Sequence, residues 1–127
     1  MESHELITRI RWGKNRMIPE IRKHLESARA RGLRDLEFRL WVAPGHGPEG
    51  IRVFRPTASF GYDAEKNHSG GAVFGSSKPH YEREKDAKRI IAQAVRHLRK
   101  QGFVEVSSQK KPSPERLIEI VLRKARP

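Results

Sequence analysis

Three histidines fall in or beside one weakly patterned stretch of the chain: His46, His68 and His80. Tyr62, Tyr81 and Lys66 lie close to them in sequence. This set has the parts of a metal-independent ribonuclease. Imidazoles would serve as base and acid, and a lysine or arginine would stabilise the phosphorane oxygens. The spacings match no catalytic motif, and most loop histidines are inert, so catalysis is the minority expectation. Metal binding is weaker still. There is no HxxxH pair and no thiolate, and Asp63 and Glu65 beside His68 make a thin ligand set. Gly45-His46-Gly47-Pro48-Glu49-Gly50 is glycine-rich, but it lacks the strand-to-helix context of a phosphate loop. Turn chemistry accounts for it, and no cofactor is implied.

The other chemistry available is phosphate contact. Gly13 to Arg16 is a basic turn ahead of a helix pattern, so Lys14 and Arg16 fall near a helix N-terminus, where free N–H groups favour anions. Ser107 to Ser113 reads as a basic hairpin loop carrying Lys110 and Lys111, able to track a backbone or enter a groove. Arg22, Lys23, Arg29, Lys88, Arg89, Arg96 and Arg99 fall on the polar faces of the helix patterns. A charge run is usually just a solvated face. Here acids are sparse in the second half of the last helix, after Asp86, which favours an extended positive surface.

The totals agree with that emphasis. In 127 residues, 27 Lys and Arg oppose 15 Asp and Glu, a net charge of +12 with a pI near 10.7. A domain this basic is expected to meet polyanions: RNA or DNA, on a ribosome or a nucleoid. There is no cysteine, so disulfides, thiolate zinc sites and a cysteine nucleophile are excluded. The N-terminus does not read as a targeting peptide and no apolar run reaches membrane-spanning length, so a cytoplasmic protein with no membrane partner is expected. A homodimer stays open.

The elements that must position these residues form one α/β (α+β) domain over 1–127. Leu6 to Trp12 alternates as a strand. Met17, Ile18, Ile21, Leu25 and Ala28 make a helical stripe that Gly32 ends. Leu36, Phe38, Leu40 and Val42 give a clean strand, expected to end at Pro44. From about 44 to 81 an irregular Gly/Ser/aromatic insertion is expected. Within it Ile51 to Phe54 extends toward Phe60, and Val73-Phe74 offers that segment a short hairpin partner. Ala87, Ile90, Ile91, Ala94, Val95 and Leu98 define the strongest helix, with Gly102 as its stop. Phe103 to Val106 and Arg116 to Lys124 close the chain as two strands. The second could instead be a helix begun at Ser113-Pro114-Glu115, but its β-branched content favours strand. The order is strand–helix–strand–insertion–helix–strand–strand. A strand–helix–strand unit implies a parallel neighbour, so the sheet is predicted to be mixed. Trp41 falls on the polar face of its strand, either packed or exposed as a stacking platform.

Ile10 to Met17, Gly32 to Leu40, Phe103 to Ser108 and Leu117 to Lys124 together resemble the Alba family of chromatin proteins. That family shares its fold with the C-terminal domain of bacterial translation initiation factor three. The resemblance implies nucleic-acid contact from the basic turn and the closing hairpin, which by position are Lys14, Arg16, Lys110 and Lys111. Where that family has a short basic glycine turn between second strand and second helix, this chain carries the insertion. Small MutS-related nuclease domains share the layout, but their strand-one histidine signature is absent from Ile10 to Lys14. The leading expectation is therefore a nucleic-acid-binding protein, using Lys14, Arg16, Arg22, Lys88, Arg96, Lys110 and Lys111. The alternatives are a histidine ribonuclease or toxin-like enzyme, and an adaptor for an acidic protein.

Overall fold

The computed structural model describes residues 15–63, 70–74, 81 and 83–125. The expected first strand, Lys14, His68 and His80 lie outside them. Two helices, α1 (Met17–Arg31) and α2 (Glu84–Lys100), pack on one face of a sheet. Its strands are β1 (Leu36–His46), β2 (Arg52–Tyr62), β3 (Gly70–Phe74), β4 (Val104–Ser113) and β5 (Arg116–Lys124), in the order β3-β2-β1-β5-β4. The α+β class is as expected, and among the described residues the two helices and the strands β1, β4 and β5 come in the expected order.

Every described pair in the sheet is antiparallel. β1 has β2 on one side and β5 on the other, so no parallel neighbour sits beside it over Glu37 to Trp41. The reason lies in the stretch read as an irregular insertion. Eleven of its residues form β2, in register with β1 from Glu37↔Gly61 to His46↔Arg52. Phe54, Pro56, Ala58 and Phe60 alternate toward the helices and are all buried. β1 also runs past Pro44. The β1–β5 ladder ends at Trp41↔Glu119, so among the described residues one edge of β1 is unpaired beyond that point, and a proline there need not break a ladder. The glycine segment is reduced to a tight connection, Pro48–Gly50, with positive φ at Glu49 and Gly50. The hairpin expected with Val73 and Phe74 exists, but further along β2: Val73 pairs with Ser59 and Phe74 with Ala58.

The closing hairpin is two long strands. Arg116 to Lys124 is a strand, with β1 and β4 as neighbours. The expected loop from Ser107 to Pro114 is instead mostly β4, paired to β5 as far as Ser113↔Arg116, with irregularities at Glu105/Ser107 and Lys110/Ser113. Those breaks, together with Lys111 at φ 49 and Pro112, blunt an otherwise open edge.

Both helices end alike. Leu33 N–H bonds the Ala28 carbonyl at 2.9 Å and Gly32 N–H bonds that of Arg29 at 3.2 Å. Phe103 repeats the pattern to Leu98 at 3.0 Å, and Gly102 to Arg99 at 3.0 Å. This double bond requires a left-handed residue just past the helix, supplied by Gly32 at φ 65 and Gly102 at φ 94. A Cβ on Gly102 would also sit 3.2 Å from the Lys124 side chain, whose amine bonds the Gln101 carbonyl. Gly102→Ala is expected to cost about 1–2 kcal/mol in urea unfolding, from the left-handed backbone alone. A neutral result would mean that the turn re-forms without it.

Candidate functional site

α1 and α2 run side by side in the same direction. At the start of α1, Asn15 is buried. Its Oδ1 accepts the Met17 N–H at 3.0 Å, and its Nδ2 donates to the Ile90 carbonyl at 3.0 Å and to Gln93 Oε1 at 3.1 Å. Asn15 therefore occupies a first-turn N–H that a phosphate could have used, and it fastens α1 to the middle of α2. In the sequence Asn15 reads as one member of a basic turn. The available signal was an asparagine just ahead of a helical stripe. Asn15→Ala removes three hydrogen bonds and leaves buried partners unmet, so a loss of about 1–3 kcal/mol is expected in chemical denaturation. A loss under half of that would show the contact to be incidental.

Two turns further along, Arg22, Leu25, Glu26 and Arg29 of α1 face His97 and Gln101 of α2 across a groove of about 210 Å³. The outer surface of the helix pair is strongly one-signed. Arg22, Lys23, Arg29 and Arg31 are exposed on α1, and Lys85, Arg89, Arg96, Arg99 and Lys100 on α2. Glu26 is the one exposed acid among the residues of these two helices. Arg99 pairs with Glu105 at 2.7 Å. Arg16, exposed, precedes α1.

The opposite face of the sheet is different. Arg39 meets Glu37 at 3.4 Å and Glu119 at 3.6 Å, Arg116 meets Glu119 at 2.5 Å, and Arg123 meets Glu37 at 2.9 Å. Trp41 lies on that face. It is no stacking platform: it is 8% exposed, with the Arg116 guanidinium 4.0 Å from its ring centre.

The structure thus divides the expected contact residues. Arg22 lines the groove with His97, and Arg96 is the residue before His97 on α2. Lys88 is tied to Glu84 at 2.5 Å, one turn back along α2. The Glu84 carboxyl is held below its usual value by that hydrogen bond first, and the charges of Lys88, Lys111 and Arg52 also act on it. Lys111 is therefore near the start of α2. His97 is about 20 Å further along the same helix, at 1.5 Å per residue. Lys110 and Lys111 are exposed, but as strand residues rather than a loop tip.

His46 is exposed at the end of β1, opposite Arg52. Among the described residues no cluster of three or more acidic or imidazole side chains could hold a metal ion. The histidines with altered titration are on the helices. His24 stacks on Phe60 with ring centres 5.2 Å apart. Burial lowers its pKa, Glu20 opposes that and Lys23 reinforces it. The His97 pKa is lowered by burial and then by Arg22 and Lys100. For both, the folded state binds protons less readily than the unfolded chain. Stability should therefore fall as pH drops below about 6.5, the unperturbed histidine value. Thermal melts from pH 7.5 to 5 check this, and a double His24→Gln, His97→Gln variant should flatten the slope.

Comparisons of the chain with protein-family models, with curated proteins and with solved structures find no match. No helix among the described residues is long and apolar enough to cross a membrane.

Proposed function

We propose that this chain is a nucleic-acid-binding protein that grips the phosphate backbone of RNA or DNA with the outer surface of its helix pair. One observation carries this reading: nine exposed bases on α1 and α2 stand against a single exposed acid, while the bases of the far sheet face are matched by Glu37 and Glu119. A helix layer this unbalanced attracts a polyanion wherever its charges are spaced along a track. Arg22 and Arg96 are central to the surface, and Arg16 and Lys88 extend it toward the other end of the helices. Lys110 and Lys111 are peripheral. Both the Alba-like resemblance and a cysteine-free chain suited to a reducing cytoplasm fit this role.

Titration of labelled duplex DNA, single-stranded DNA and structured RNA at two salt concentrations tests it. Micromolar or tighter binding that weakens steeply with salt is expected, and the nucleic acid should stay intact. Failure to bind any of the three at low salt refutes it, and capture of an acidic protein would then explain the charge. Cleaved RNA would make the chain a nuclease.

A further inference from the structure

We infer that the groove between α1 and α2 is a seat for a single phosphodiester group, held by Arg22 and Arg29 from one helix and His97 from the other. The assignment deepens the nucleic-acid reading and rests on it. A basic helix surface needs no specific pocket, yet this one has a groove lined by two arginines of α1, two turns apart, and by His97 of α2. The lining also offers the Gln101 amide. Arg22 and Arg29 are seven residues apart, close to two full turns, so they project from the same side of α1 and can bracket one group. Among the described residues neither has an ion-pair partner.

His97 supplies the second line of argument. Its imidazole lines the groove beside Arg22 and Arg29. Its Nε2 is shielded from water and has no hydrogen-bond partner among the described residues, so it acts on a ligand in the groove by charge and not by a direct bond. A phosphate seated there takes its charge-assisted bonds from the guanidiniums, and a protonated imidazole beside them adds a short-range attraction. The charged groups facing His97 are Arg22, Glu26 and Arg29 from α1 and Lys100 on its own helix. The sheet contributes no lining residue to the groove. With imidazole neutral the lining carries two positive charges and one negative. A proton on His97 adds a third positive charge, so seating an anion and protonating His97 favour each other.

Histidine titration by NMR on the full chain tests the seat, alone, with inorganic phosphate and with a single-stranded RNA twelve-mer. Both ligands should raise the His97 pKa by about one unit, the effect of an opposite charge within a few ångströms. His24, stacked on Phe60, should move far less and is the internal control. Arg22→Ala with Arg29→Ala should abolish the His97 shift in a chain whose unfolding midpoint is unchanged. Glu26→Gln, which removes the repelling carboxylate, should tighten RNA binding several-fold. RNA that binds with a steep salt dependence while His97 stays unmoved would overturn the seat and leave the helix-surface reading intact. A His97 shift with phosphate in a chain that binds no nucleic acid would keep the seat and overturn the polymer as its ligand.

Discussion

Reversing two charges, Arg22→Glu and Arg96→Glu, is expected to weaken binding to structured RNA or duplex DNA about 100-fold near 0.1 M salt. It should also lower the dependence of log K on log salt by about two or more. Both residues are exposed on the layer where bases outnumber acids most, and neither belongs to the core, so the fold should survive. Each substitution removes a released counterion and adds a repulsion, which is why the effect exceeds that of alanine. The informative comparison is Lys110→Ala with Lys111→Ala. These lysines sit on β4 near the start of α2, roughly 20 Å along the helix from His97, and should change affinity by only about threefold. Equal losses from the two pairs would mean that the nucleic acid runs along the β4 edge. No loss from either would sink the surface altogether.

The helix surface could be anticipated in residue type but not in assembly. The stripe of α2 is legible because Ala87, Ile90, Ile91, Ala94, Val95 and Leu98 repeat at the helical period, and every one of them is buried. The same pattern leaves Arg89, Arg96 and Lys100 outward. No local signal says that Arg22 will face His97, because that contact is made by tertiary packing between helices separated by three strands. The clamp by Asn15 sets the relation between those helices, and a polar side chain in a basic turn gives little warning that it will be buried.

The strands show the complementary lesson. β1 was legible because one of its faces is buried under helices, and burial imposes an alternation of apolar residues, whereas β5, apolar on both faces, was legible only through its β-branched content. β4 is an edge strand whose sequence from Ser107 to Pro112 is polar on both faces, so nothing in hydropathy separates it from a loop. It is a strand because β5 offers it a ladder. β2 was read only in part because Pro56 and Gly61 look like breakers. Its apolar positions Phe54, Ala58 and Phe60 still alternate, and the small Pro56 and Ala58 leave room for α2 to lie across it. The practical consequence is that Lys110 and Lys111 lose the flexible arm their sequence suggested.

The largest stability effect is expected at Phe38. Its ring is fully buried and packs against Phe60 of β2, with ring centres 4.9 Å apart, and Phe103 at the exit of α2, at 5.4 Å edge to face. It therefore joins the centre of the sheet to the strand under α2 and to the turn that stops α2. Phe38→Ala would leave a cavity that three separate elements cannot close together, so a loss of about 3–5 kcal/mol is expected. Domains of this size have total stabilities of about 5–15 kcal/mol, so the variant should melt far below the parent and fail to bind for lack of a fold. Phe38→Leu, which keeps most of the volume, should cost less than half as much. Val104 and Val106 are the contrasting case. Both are apolar β residues, but they are 65% and 51% exposed on the edge strand, so Val104→Thr and Val106→Thr should each stay within about 0.5 kcal/mol. Urea unfolding of the four variants decides the matter. A small loss at Phe38, or a large one at the valines, would mean that the apolar core is centred somewhere other than between β1 and the helices.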